Sequence, residues 1–269
     1  MLVGGRISIA SVRPPLVLGY HGIANVDPRQ DPVRLFVSPE RFRRQVRKLI
    51  DRGYEFVRMS EFGQRLHAGG DLSGVCAVTF DDGTLDIVET AAPVLAELGV
   101  NGTVYVCPGL FGDAYPWVAP EAGVRLMDAG EVRALADEGT VEIGAHTNEH
   151  TVLGAASAEL AYAEMAACKQ RIEELLGREV PSFCYPRCVY SPPCPAAARR
   201  AGYTTAVTCG PRGSWDPFEL KRESLHTPDG PVTFALKSRG LYYGTRDMAP
   251  ARALRRVTRP FRHRGERIG

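Results

Sequence analysis

Val75-Cys76-Ala77-Val78-Thr79-Phe80-Asp81-Asp82-Gly83 is a short apolar run that stops abruptly on two carboxylates and a glycine. A run of this length before a turn signal suits a strand buried on both faces, which is how strands of a parallel sheet read. The pattern recurs on either side. Residues 16–20, 103–106, 141–143, 182–185 and 204–207 are further candidate strands. Helical patterns lie between them. Ser38-Pro39-Glu40 opens one: the Ser38 side chain can accept from free N–H groups, and Pro39 sits where no donor is needed. Phe42, Val46 and Leu49 then share a face, and Gly53 closes the pattern. Residues 87–98 read as a helix closed by Gly99. Asp128-Ala129-Gly130-Glu131 has capping-box spacing, is followed by Val132 and Leu135, and is closed by Gly139. Ser157 opens a long helix carrying Leu160, Ala167, Ile172 and Leu175 as far as Gly177. Strands alternating with helices imply parallel strands with helices packed outside. An α/β fold follows, and a closed or partly closed (β/α) barrel is its natural form, although alternation alone does not separate a barrel from an open sheet. Residues 114–123, with Pro116, Trp117 and Pro120, read as a surface excursion between two strands.

Composition bounds the function. The chain has 269 residues, 44% of them hydrophobic, enough for one large core rather than two small ones. With 24% charged residues and formal net charge +2, no whole-chain field draws nucleic acid. The charge is uneven. Residues 252–267 hold seven arginines against one acid, Glu266. The chain therefore divides into one domain over residues 1–250 and a basic tail over 251–269. Two readings of the tail stay open: a solvated terminus, or a short amphipathic segment with Leu254, Val257 and Phe261 that makes weak contact with an anionic membrane surface. No apolar run reaches the length of a spanning helix, and residues 1–15 lack the pattern of a signal peptide. Seven cysteines is an odd number, so reduced thiols and a cytoplasmic protein, peripheral to the membrane if the tail binds, are the expectation.

Four segments carry chemistry, each at the C-terminal end of a candidate strand, where parallel sheets place it. In Thr79-Phe80-Asp81-Asp82-Gly83, adjacent strand residues point to opposite sides. One carboxylate could bind a metal while the other moves protons; taken alone, the string also suits a tight turn. In His146-Thr147-Asn148-Glu149-His150, two histidines four apart share a face if the segment is helical, which suits two nitrogens on one ion. Mixed nitrogen and oxygen ligands fit zinc or another divalent first-row metal. Gly19-Tyr20-His21-Gly22 ends a strand on a histidine. Phe183-Cys184-Tyr185-Pro186-Arg187 places aromatics and a proline where they could wall a pocket.

With these strings in hand, the chain resembles the polysaccharide deacetylases of carbohydrate esterase family 4, over about residues 16–234. Thr79-Phe80-Asp81-Asp82-Gly83 together with His146-Thr147-x-x-His150 is the specific part, supported by Tyr20-His21-Gly22-Ile23, Phe183-Cys184-Tyr185-Pro186 and Pro217-Phe218-Glu219-Leu220-Lys221-Arg222. The resemblance implies a partly irregular (β/α) barrel of about seven parallel strands. It implies that Asp82, His146 and His150 hold one divalent ion, zinc first, with nickel, cobalt and iron as the other candidates, and that Asp81 is the catalytic base. The branch acting on poly-N-acetylglucosamine is the most similar, and its N-terminal Tyr-His pair implies His21 as the general acid, with His226 the alternative acid on the pattern of other branches. A backbone N–H among Tyr185, Pro186 and Arg187 would face the oxyanion. This chain also departs from the family. Cys184 stands where many members have an arginine that orients the base, and Arg222 is the candidate replacement. Arg187 and Cys188 stand where an aromatic and a glycine are usual.

The implied activity is hydrolysis of a non-peptide C–N amide bond: N-deacetylation of an N-acetylated amino sugar on a small glycoside, a glycosylated metabolite or a lipid-linked saccharide. The alternatives are an amidohydrolase for a formamide or cyclic imide, and a non-catalytic sugar-binding relative. Loops choose the sugar, and the barrel motifs do not.

Overall fold

The structure is a computed structural model and describes residues 13–210 and 213–243. Eight strands appear: β1 (Leu16–Tyr20), β2 (Glu55–Phe56), β3 (Val75–Phe80), β4 (Gly102–Val106), β5 (Val141–Ala145), β6 (Ser182–Cys184), β7 (Thr205–Val207) and β8 (Glu223–Ser224). Seven helices accompany them: α1 (Pro39–Asp51), α2 (Met59–His67), α3 (Ala92–Leu98), α4 (Ala129–Glu138), α5 (Ala158–Leu176), α6 (Cys194–Arg200) and α7 (Pro231–Lys237). Every pairing is parallel, in the order β7-β6-β5-β4-β3-β1-β8, with β2 beside the start of β3. This is the expected α/β architecture: a curled, partly irregular (β/α) barrel with seven parallel strands along its main path. Its two ends meet through one strip of chain. Leu220 bridges Val207 of β7, and a few residues on Glu223 and Ser224 pair with Leu18 and Gly19 of β1.

Strands β1 and β3 are buried along their whole length, as the unbroken apolar runs require. Outside the sheet, Phe42, Val46 and Leu49 of α1 and Ile172 of α5 join one large core. Inside, Val17, Ala77, Tyr105, Val207 and Leu220 pack with Met59 and Phe62 of α2. That helix contacts both β3 and β7, so it closes the end of the barrel away from the chemistry. No helix among the described residues is long and apolar enough to cross a membrane.

Local signals were accurate where a capping side chain wrote them. Ser38 and Asp128 cap α1 and α4, and Glu131 returns the bond to complete the capping box. The 87–98 helix begins with a wide π turn, Ile87–Ala91, before α3. The buried face of α5 is Ala161, Met165, Cys168 and Ile172; of the predicted residues Ile172 is buried and Leu175 packs against the core, whereas Leu160 and Ala167 are exposed. The two-residue strands β2 and β8 and the short helices α2, α6 and α7 were not foreseen, because none is long enough to show a period. The expectation of reduced cysteines is corrected: Cys188 and Cys209 form a disulfide, and the other five cysteines are buried thiols. The basic tail lies outside the described residues.

Candidate active site

The site is assembled at the C-terminal ends of β1, β3, β5 and β6. At the end of β3 the backbone turns through Asp82, whose φ is 69°, with the Gly83 N–H donating to the Asp81 carbonyl at 2.8 Å. A three-residue turn of this kind is strained for an L-residue, and aspartate tolerates the left-handed region better than most. It separates the two carboxylates. Asp81 faces the barrel interior and Asp82 faces the histidines.

Asp81 is gripped by Arg222, whose guanidinium donates to both of its oxygens at 2.6 Å. Arg222 also donates to the Thr79 hydroxyl at 3.1 Å. It lies across Gly19, where any Cβ would sit 2.7 Å from Nε; the glycine of β1 is there to let the guanidinium pass. Burial alone would raise the Asp81 pKa, but the adjacent Arg222 charge outweighs it and holds the carboxyl at about 2. Arg222 thus supplies the cation expected to replace the family's arginine, and the Cys184 thiol sits 3.4 Å from Asp81 in the space left over.

Asp82 Oδ1 lies 3.4 Å from His146 Nε2 and 3.5 Å from His150 Nε2. This oxygen is buried and makes no hydrogen bond among the described residues. Its partner oxygen accepts from the Tyr115 hydroxyl at 2.6 Å. The His146 Nδ1 pairs with the Cys184 carbonyl at 2.7 Å, which puts the proton on that nitrogen and leaves the Nε2 lone pair facing Asp82. Burial holds His150 down to about 4, so its imidazole is neutral at neutral pH, as a ligand must be. One orphaned carboxylate oxygen and two imidazole nitrogens converge within reach of a single centre. The donor set fits a divalent first-row ion with a position left open. The histidine segment is not helical: Thr147 and His150 have φ values of 63° and 57°, and the two side chains converge through an irregular loop rather than a helical face.

His21 and His226 both line the same cleft of about 440 Å³. Their rings stack with centroids 6.1 Å apart, and His21 Nε2 is 3.9 Å from Asp81 Oδ2, beyond hydrogen-bond length. Burial, and then the charge of His21, holds His226 down to about 4. Of the three candidates for the oxyanion, two are corrected. Tyr185 spends its N–H on the Val207 carbonyl and its hydroxyl on Phe218, and Pro186 has no N–H. Only Arg187 faces the cleft.

Residues 114–123 are more than a surface excursion. Tyr115 is buried against Asp82, and Trp117 packs against His150 with ring centroids 5.3 Å apart. Neither was singled out as a site residue. The signal available was an aromatic pair in a polar loop, which says nothing of what it covers. Asp86 was also missed. Its buried carboxylate accepts the Ile23 N–H, tying the loop of His21 to the loop of Asp81.

Comparison with known proteins adds three findings. A family model described as polysaccharide deacetylase matches residues 69–206, about half of the chain. The Bacillus subtilis (strain 168) protein YxkH, which bears the polysaccharide deacetylase name, is 25% identical over 196 residues, 72% of this chain; the chain spans 64% of that relative's length. Among solved structures, the Streptococcus pyogenes deacetylase PplD in complex with acetate superposes with TM-score 0.70 at 23% identity, covering 83% of this chain and 97% of that one. IcaB from Ammonifex degensii gives 0.69 at 22%, covering 83% and 96%. At those identities the structural likeness establishes the fold.

Proposed function

Because this chain belongs to the polysaccharide deacetylase family, we propose that it is a metal-dependent hydrolase that removes acetyl from an N-acetylated amino sugar. Asp82, His146 and His150 hold the ion, Asp81 is the base and His21 the acid. The observation that carries this reading is the orphaned Asp82 oxygen facing two imidazole nitrogens beside a second carboxylate clamped by Arg222.

A divalent ion held there, zinc first among zinc, nickel, cobalt and iron, supplies Lewis acidity at the amide carbonyl and brings water closer to ionisation at neutral pH. Asp81, ionised and fixed in orientation, takes a proton from the attacking water. The Arg187 N–H faces the oxygen on which negative charge develops. His21, as imidazolium, gives its proton to the departing nitrogen, so the C–N bond breaks to a free amine and acetate. His226, held uncharged at neutral pH, is a poor source of that proton, which supports His21. The likeness to IcaB is in keeping with the branch suggested by the Tyr20-His21 pair.

The substrate class follows the sequence expectation: a small glycoside, a glycosylated metabolite or a lipid-linked saccharide. The cytoplasmic placement loses one of its supports with the Cys188–Cys209 disulfide, and membrane contact rests on the tail alone. The test pairs metal content with acetate release. Asp82→Asn should lose the metal. Asp81→Asn should keep it and lose activity by a factor on the order of 10² or more. The reverse pattern would show the two aspartates exchanged. His21→Ala should abolish the alkaline limb of the rate profile with metal retained, and an inactive His226→Ala beside an active His21→Ala would transfer the acid's role. Faster release of formate or ring-opened imide than of acetate would move the enzyme to the amidohydrolase alternative.

A further inference from the structure

The turn after β6 carries a cation that the chemistry above does not use. Arg187 projects from a one-turn helix, Pro186–Cys188, with φ 54°, and Cys188 follows with φ 56°. Two consecutive L-residues in the left-handed region cost roughly 1–3 kcal/mol each and persist only where their surroundings over-determine them. Here the surroundings do. Cys188 N–H donates to the Tyr185 carbonyl at 2.9 Å, Val189 N–H to Pro186 at 3.1 Å, and Cys188 is bonded to Cys209 beyond the end of β7. The side chain is held as well. The guanidinium lies over the Trp117 ring at 4.8 Å, and the same indole packs against the candidate ligand His150.

Arg187 is exposed and lines the cleft. Arg222, the other arginine of the cleft, is spent on Asp81. Arg187 has no carboxylate partner among the described residues, so its guanidinium faces the cleft without a neutralising charge. The facing wall is apolar, with Leu35 and the 56% exposed Val33. A guanidinium stacked on an indole has given up part of its hydration and rotamer freedom in advance. Its planar fork matches a carboxylate or phosphate through two hydrogen bonds.

Resting on the deacetylase reading, we infer that Arg187 is a specificity-determining residue: the substrate is an acetamido sugar bearing an anionic group, phosphate or carboxylate, next to the acetamide. The neutral part of the substrate meets Val33 and Leu35, and the anion meets Arg187, which lies over the same indole that packs against His150. The disulfide keeps the arginine at the mouth instead of letting it fold back to solvent.

The test compares kcat/KM for acetate release from three probes: a neutral N-acetylglucosamine glycoside, N-acetylglucosamine 1-phosphate and N-acetylmuramic acid. The wild-type enzyme should favour at least one anionic probe by about 10- to 100-fold, the usual weight of a hydrogen bond to a charged group, and added salt should shrink the margin. Arg187→Gln should collapse that ratio through KM, Arg187→Lys should restore part of it, and Arg187→Glu should invert it. Preference for the phosphate or for the carboxylate identifies the anion. A ratio near one in the wild type, or one unmoved by Arg187→Gln, overturns the inference and leaves the deacetylase reading intact. Calorimetric binding of glucosamine 1-phosphate and of muramic acid gives the independent readout. If no probe releases acetate yet one of these binds in an Arg187-dependent way, the anion site stands and the activity falls; Arg187-independent binding of both sinks the site.

Discussion

Asp82 and Asp81 are neighbours with different fates, and single contacts decide which does what. Asp82 keeps one oxygen bare toward the histidines because Tyr115 occupies the other. Burial, and then the Asp82 charge, raises the Tyr115 pKa well above its ordinary value, so the phenol stays a donor. A hydroxyl placed this way would hold the carboxylate with one oxygen turned toward the ion that Asp82, His146 and His150 are proposed to bind. Tyr115→Phe should therefore weaken zinc binding by about 10- to 100-fold, as read by calorimetric titration of the apo protein, and unchanged affinity would remove Tyr115 from the metal's support. At Asp81 the deciding contact is Arg222. Cys184 could take the place of an arginine only because a second cation reaches the same carboxylate from β8's approach, over the bare Cα of Gly19.

At the scale of elements, the proposed catalytic groups sit on separate loops that must keep one mutual register. The His21 loop and the Asp81 loop are joined where Asp86 accepts the Ile23 N–H. Burial raises this carboxyl to about 6, above an unfolded value of about 3.9. Its folded pKa is thus the higher one, so its stability contribution is complete below about pH 4 and is lost as pH rises through about 6. The two-unit shift corresponds to about 3 kcal/mol between those limits. Asp86→Asn keeps an accepting oxygen for Ile23 and cannot ionise. In chelator-treated protein, urea unfolding should show wild-type stability falling relative to Asp86→Asn by about 2–3 kcal/mol between pH 4 and 7. Parallel pH curves for the two proteins would assign the raised pKa no energetic consequence.

Across the whole molecule, the proposed metal ligands and their supports come from strand ends far apart in sequence, and the buried cluster they form exists only in the folded state. An ion that binds the native state alone stabilises it by about 2.7 kcal/mol at a hundredfold excess over Kd, or about 5–10 °C in Tm for a domain of this size. Zinc should raise the Tm of chelator-treated protein by that amount and should leave that of His146→Ala unmoved. An equal rise in both would place the ion elsewhere.

Sequence alone determined much of this protein. The apolar runs specified buried parallel strands, because a strand with helices on one side and a barrel interior on the other has no polar face to show. The Ser38 and Asp128 caps marked helix starts, since a capping bond spans only three residues. That Asp81, Asp82, His146, His150 and His21 belong to one cluster was legible through the resemblance their strings carry, since each string alone also suits a turn or a structural histidine, and the folded chain does bring them to one cleft. Tertiary structure decided the rest. Contacts across long stretches of chain leave no local pattern: Tyr115 reaches Asp82 over 33 residues and Cys188 finds Cys209 over 21. Nor could spacing alone tell that the 146–150 histidines converge from a loop, since a helical turn and left-handed turns at Thr147 and His150 both bring two rings to one point.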